Sequence, residues 1–174
     1  RLRLEQVDLL QFHGLEPEQL DDDLFAAMDH LCARGWVRWW GASTYGAAAP
    51  RAVAAAGGRF ASLQVAYNLL DRTLEDEVLP ACQAAGIGVV VRSALLKGVL
   101  SERFRDLPAH LEPLRRAAAA AAGLAAAAGM SLAEAAVRFV VHSPYADVAL
   151  LGTASAAELR DNLRAAAAGP LPDE

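Results

Sequence analysis

Only one lysine, Lys97, stands among the 174 residues, and the other basic side chains are scattered arginines. With a formal net charge of −5, that distribution argues against nucleic acid or an anionic membrane as a partner. Cysteine is almost as scarce. Cys32 and Cys82 fall in separate predicted helices and form no metal-type cluster. Two such thiols point to a reducing compartment, hence a cytoplasmic location, and to the absence of a structural disulfide. No apolar run reaches membrane-spanning length, and no secretory signal is present. No G-x-G-x-x-G follows any strand, so the dinucleotide fingerprint of an open doubly wound sheet is missing. An initiating Met is lacking as well. The chain opens at Arg1 directly before a strand, as expected of a sequence cut from a longer one.

The residues that are present suit a globular chain, 55% hydrophobic and 21% charged. The length allows one good core or part of a larger domain. Alanine and arginine are plentiful, which reads as base-composition bias.

Strand and helix alternate throughout. Predicted strands cover residues 7–12, 37–42, 63–66, 87–91 and 148–151. Between them lie predicted helices. The first runs from Pro17 to about Arg34 and is stopped by Gly35; a short one covers 50–56 and is ended by Gly57 and Gly58. A third covers 75–85 and ends at Gly86. A long alanine-rich helix covers about 111–128, broken by Gly129. Ser131 with Glu134 and Ser155 with Glu158 form two S-x-x-E capping boxes that start the last two helices, the final one running to about Ala168. The alanine runs at 117–122 and 125–128 read as a strong helix former packing closely on a sheet.

No adjacent pair of strands is joined by a hairpin turn, so the strands are expected to be parallel with right-handed crossovers. Runs such as "GVVV" and "VALL" are apolar on both faces, which predicts strands covered on both sides. Two architectures fit this order, an open doubly wound sheet and part of a (β/α)8 barrel. The missing fingerprint lowers the first. The second makes all 174 residues one α/β domain of about five parallel strand–helix units.

Polar residues follow every strand. His13 and Gly14 come after the first, and Ser43, Thr44 and Tyr45 after the second. Gln64, Tyr67 and Asn68 lie on the third. Arg92, Ser93 and Leu95 come after the fourth, and Gly152, Thr153 and Ser155 after the fifth. In a barrel these positions converge on one face. The last of them opens a helix whose free N–H groups and dipole form an anion site.

Taken in order, "VDLLQFHG", "VRWWGASTYG", "LQVAYNLLDR", "GIGVVVRSALLKGVL", "LAEAAVRFVVHSP" and "VALLGTASAAELRDNL" resemble the second half of an aldo-keto reductase. The resemblance runs from that family's fourth strand to its eighth and the helix after it. It implies a (β/α)8 barrel that uses NADP or NAD to reduce aldehydes and ketones or to oxidise the alcohols, with a small carbonyl or sugar-like substrate. His13 falls on the family's active-site histidine, and a neutral imidazole can orient a substrate carbonyl; on its own it would be a loop histidine. Ser43 matches a residue that holds the nicotinamide carboxamide. Thr44 stands where the family usually has Asn, and Gln64 matches a second carboxamide contact. A glutamine there could instead serve the core, but both ends of its amide would then need partners. Ser93 and Leu95 match the loop beside the pyrophosphate. Arg92 replaces a tyrosine that stacks on the nicotinamide, a task a guanidinium can also perform; it could equally be a plain surface arginine.

Gly152 and Thr153 occupy positions where NADP-preferring members often have Lys and then Ser or Thr. Glu158 stands where such members often place an arginine for the 2′-phosphate. Asp161 and Asn162 match the pair near the adenine. A carboxylate at 158 is expected to repel a phosphate, which tilts the reading slightly toward NAD. Of the family's catalytic Asp, Tyr, Lys and His, only the last has a match. Tyr45, Tyr67 and Lys97 match none of the other three, so the 174 residues by themselves are expected to lack a proton donor. Two alternatives stay open: a non-catalytic half-barrel that binds nucleotide or pairs with another chain, and another phosphate-binding (β/α)8 protein.

Overall fold

The computed structural model describes residues 3–153 and 155–172. Five parallel strands, β1 (Val7–His13), β2 (Val37–Ser43), β3 (Ser62–Ala66), β4 (Gly88–Arg92) and β5 (Val148–Ala149), are hydrogen-bonded in sequence order. Six α-helices follow them: α1 (Asp22–Ala33), α2 (Ala48–Ala55), α3 (Val78–Ala84), α4 (Glu112–Ala127), α5 (Leu132–Val141) and α6 (Ala156–Ala167). The described elements fall into two units. One holds the chain up to Val65 with Thr73–Val90, the other Ala66–Arg72 with the chain from Val91.

In the first unit the register decides which side chains meet. His13 is opposite Ser43, and Ser43 is opposite Gln64. Because side chains alternate along a strand, these three share one face at the C-terminal ends of β1, β2 and β3. One step back on that face, Gln11 and Ser62 flank Gly41, and Gln11 Nε2 donates to Ser62 Oγ at 3.1 Å. The other face is apolar toward the C-terminal ends of the strands, while Asp8 and Arg38 pair near their start. Phe12 stacks on Trp40 with ring centroids 5.1 Å apart, and the Trp40 indole donates to Cys32 Sγ of α1 at 3.2 Å. Arg51 of α2 and Glu77, just before α3, form a bidentate pair at 2.7 and 2.8 Å.

In the second unit the end of β4 meets β5 through Leu150 N and Val91 O at 2.8 Å. Its core gathers Leu100, Phe104, Ala118, Leu132 and Ala136. No single helix is long and apolar enough to cross a membrane among the described residues.

Several elements differ from the sequence expectation, each for a local reason. The helix expected over 17–34 is split into a 3₁₀ turn, Pro17–Gln19, and α1. Asp21 Oδ1 accepts from Leu24 N at 2.8 Å, so a second N-cap restarts the helix. β5 is two residues long. The alanine runs of α4 do not pack closely throughout. Ala118 and Ala125 are buried while most of the others face solvent, so their contribution is chiefly helix propensity. Of the two runs expected to be covered on both sides, β4 has no exposed residue, whereas Val148 and Leu150 of the second run are exposed; Leu9 and Leu10 of β1 and Trp39 of β2 are exposed as well. β1 and β5 end the strand order and so have a neighbouring strand on one side only. Each capping box forms in half. Ser131 and Ser155 accept from the helix N–H groups, but Glu134 turns to Arg138 and Glu158 to Thr153.

Candidate functional site

The first unit contributes a strand-end cluster. Ser43 and Thr44 are buried, and Gln64 Nε2 donates to Ser43 Oγ at 3.1 Å. Thr44 N extends the ladder to Gln64 O at 3.1 Å. The Gln64 amide makes one side-chain hydrogen bond among the described residues, short of the full set that a core role requires. The rest of its capacity is open to a ligand. His13 is exposed at the end of β1, and its ring meets Tyr45 edge-on at 6.1 Å between centroids. The cluster presents an imidazole and a carboxamide in one row of one face, with Ser43 between them, a set able to hold a carbonyl and an amide.

The second unit contributes a cavity of about 730 Å³, within the range of small-molecule and cofactor sites. Ser93, Leu95, Gly152, Glu158, Asp161 and Asn162 all border it, so six positions taken from separate stretches of sequence are brought to one hollow. Thr153 joins them through Glu158, its hydroxyl donating to Glu158 Oε2 at 2.6 Å. Arg92 lies at the end of β4, half-buried, with Nη1 donating to Ser93 Oγ at 3.4 Å.

One wall of this cavity is strained backbone. Ser93, Leu96 and Lys97 have φ of 60°, 44° and 54°, conformations that cost non-glycine residues energy and cluster at ligand sites. Asn68 holds the turn in place. It is fully buried, its Nδ2 donates to Ser93 O at 3.2 Å, and its Oδ1 accepts from Leu70 N and Asp71 N at 3.0 Å.

The opposite wall is the start of α6. Ser155 Oγ caps it by accepting from Ala157 N at 3.2 Å and Glu158 N at 3.4 Å. Asn162, the seventh residue of α6, borders the cavity and is 9% exposed. Its amide makes no side-chain hydrogen bond among the described residues, and its polar atoms are not among the buried unpartnered ones, so they remain available on the cavity side. Asp161 is exposed and pairs with Arg164 at 3.3 Å.

Two residues that shape the cavity, one behind its lining and one on it, were not singled out from the sequence as site residues. Asn68 is visible there only as a polar residue after a strand. Arg103 carries no sequence signal at all; it lies in the 3₁₀ turn Glu102–Asp106, and its Nη2 reaches Glu158 Oε1 at 3.6 Å. The carboxylate expected to repel a phosphate is thus already paired with a guanidinium.

The aldo/keto reductase family model matches residues 1–174. The uncharacterized oxidoreductase YqkF of Bacillus subtilis is 27% identical over the whole chain, which spans 59% of its length. An aldo-keto reductase of Fusarium vanettenii is 34% identical over 59% of this chain and 29% of its own. Among solved structures, the holo form of aldo-keto reductase AKR11C1 from Bacillus halodurans superposes with a TM-score of 0.76 at 25% identity, covering 97% of this chain and 58% of that one. This chain therefore spans little more than half the length of the relatives that it matches end to end. It belongs to the aldo/keto reductase family of oxidoreductases.

Proposed function

We propose that the 174 residues hold a nicotinamide dinucleotide, NADP or NAD, in an oxidoreductase that reduces small aldehydes and ketones or oxidises the corresponding alcohols. The observation that carries this reading is Asn162. Its amide, 9% exposed and bordering a cavity of about 730 Å³, makes no side-chain hydrogen bond among the described residues and so has donors and an acceptor available to a ligand bound there. Each unit by itself has groups suited to part of such a molecule. In the second, Asn162 and Asp161 suit an adenosine, and the Ser93–Gly98 turn and the start of α6 suit phosphates; in the first, Ser43 and Gln64 suit a carboxamide. Bound there, the nicotinamide would supply hydride transfer.

The chain's own residues bind and orient. Gln64, held by Ser43, fixes an amide plane. His13 donates one hydrogen bond to a carbonyl oxygen, and Arg92 offers a flat cation for stacking. In this reading the chain is the C-terminal portion of one barrel domain in a cytoplasmic enzyme, and the Asp, Tyr and Lys of proton transfer come from the remainder of a longer polypeptide. A second reading, a half-barrel that pairs with another chain, draws on the exposed Leu9, Leu10 and Trp39.

Fluorescence titration with NADH and NADPH tests the first reading. Saturable binding is expected, weakened at least tenfold by Asn162→Leu. NAD(P)H oxidation with an aldehyde panel is expected to show no turnover by the 174 residues alone. Turnover by that chain, abolished in His13→Ala, would overturn the assignment of proton transfer to other residues.

A further inference from the structure

We propose that Arg138, which does not line the second unit's cavity, positions α6 over it: the guanidinium clamps the chain just past that helix, and the cavity's affinity for its ligand depends on the clamp. The inference rests on the nucleotide reading for the ligand and adds to it a positioning residue.

The clamp matters because of what α6 lacks. A surface helix is normally fixed by burying an apolar stripe. The two leucines of α6, Leu159 and Leu163, are instead 47% and 62% exposed, and only Asn162 and Ala165 are buried. Yet α6 brings Glu158, Asp161, Asn162 and Ala165 to the cavity. Near its start it meets Arg103 through Glu158 at 3.6 Å, an exposed pair that water and salt screen. Apolar burial therefore does little to hold this wall at one height.

The neighbouring α5 is the opposite case. It buries Leu132, Ala135, Ala136, Val137 and Val140, which fixes it in the core. Glu134, Arg138 and His142 follow one another at four-residue steps along α5 and its C-cap, hence on one face. The Arg138 side chain is only 13% exposed, and Glu134 Oε1 steers it from 3.3 Å. Its Nε donates to Gly169 O at 2.9 Å and its Nη2 to Pro170 O at 2.5 Å. One turn on, His142 Nε2 stands 3.0 Å from Ala166 O of α6. A carbonyl only accepts, so the imidazole is the donor.

Gly169 makes the geometry possible. Its φ of +84° ends α6 in the left-handed conformation that glycine adopts without strain. The chain turns there, and two successive carbonyls reach one guanidinium, whose donors lie in a planar fork. A cation near the last carbonyls of a helix is also favoured by the helix dipole. Charge-assisted bonds on a largely buried arginine outweigh the screened pair at the other end of α6. Through Arg138 and His142, α5 lends α6 a rigidity that its own burial does not supply.

The test combines backbone hydrogen exchange with fluorescence titration by NADPH. It compares wild type, Arg138→Met, a chain stopped at Ala168, and the two changes together. Arg138→Met is expected to speed exchange of α6 amides about tenfold while α5 amides keep their wild-type rates. It is also expected to weaken NADPH about tenfold. The chain stopped at Ala168 is expected to match it in both, and the combination to add nothing, because either change opens the same clamp. Where Arg138→Met does not fold, the stopped chain carries the same two readouts. Equal acceleration in α5 and α6 overturns the proposal, since Arg138 would then only stabilise the unit as a whole. Unchanged NADPH affinity despite faster α6 exchange overturns it too, as do additive losses from the two changes. Failure of wild type to bind NADPH, with selective acceleration of α6 in the variants, defeats the nucleotide reading and upholds the clamp.

Discussion

Replacing Gly41 by alanine adds one methyl group where β2 has no room for it. An ideal Cβ there lies 2.3 Å from Ser62 Oγ and 2.8 Å from Gln11 Cγ, both inside van der Waals contact. Gly41 does not have a positive φ, so close approach, and not conformational freedom, explains the glycine. Ser62 is buried, and its hydroxyl cannot swing into water; Gln11, half-buried, can give way more easily but only by leaving Ser62. Overpacking costs roughly 1–3 kcal/mol, and the lost Gln11–Ser62 hydrogen bond about 0.5–1.5 kcal/mol, together roughly 2–4 kcal/mol. For a chain of this size each kcal/mol moves the melting temperature by roughly 2–4 °C, so Gly41→Ala is expected to lower it by roughly 4–16 °C. Thermal unfolding followed by circular dichroism measures this. Ser62→Ala removes the nearest clashing atom, and in the double variant it is expected to recover most of the loss. Unchanged melting of Gly41→Ala, or no rescue by Ser62→Ala, would refute the account of the polar layer beneath His13, Ser43 and Gln64.

Asn68→Ala leaves two backbone N–H groups and one carbonyl without their side-chain partner in a fully buried setting. It is expected to cost roughly 2–4 kcal/mol in urea unfolding and to weaken nucleotide binding, because the strained Ser93 turn relaxes. Cys82 is fully buried, and burial pushes its thiol up to about 11. Its folded value lies above its unfolded one, so its contribution to stability is complete below about 8.5 and is lost as pH rises toward 11. Below pH 9 a thiol reagent is expected to label half-buried Cys32 first and Cys82 only on unfolding. Mass spectrometry of the partially labelled chain checks the order. Glu158→Arg is expected to shift the ratio of NAD to NADP dissociation constants about tenfold toward NADP, less at high salt; fluorescence titration at two ionic strengths reads it.

Much of this chain was legible before any coordinates. Strand and helix alternate with glycine stops and serine caps, because periodicity and capping are local properties that each stretch carries by itself. Parallel pairing followed from the lack of hairpin turns, and the strand-end positions of His13, Ser43 and Ser93 followed from where apolar runs stop. The family was legible from six ordered motifs. Three things depended on the tertiary structure. The break at Asp21 was decided by a competing cap, which a continuous apolar pattern conceals. The solvent-facing alanines of α4 were decided by what packs against that helix, since alanine's helix propensity is the same buried or exposed. The charge state of the cavity wall was decided by Arg103, 55 positions from Glu158 in the chain and 3.6 Å from it in space. A lone carboxylate reads from sequence as a repelling charge. Only folding shows whether another side chain has already answered it, because electrostatic pairing depends on distance in space and not on separation along the chain.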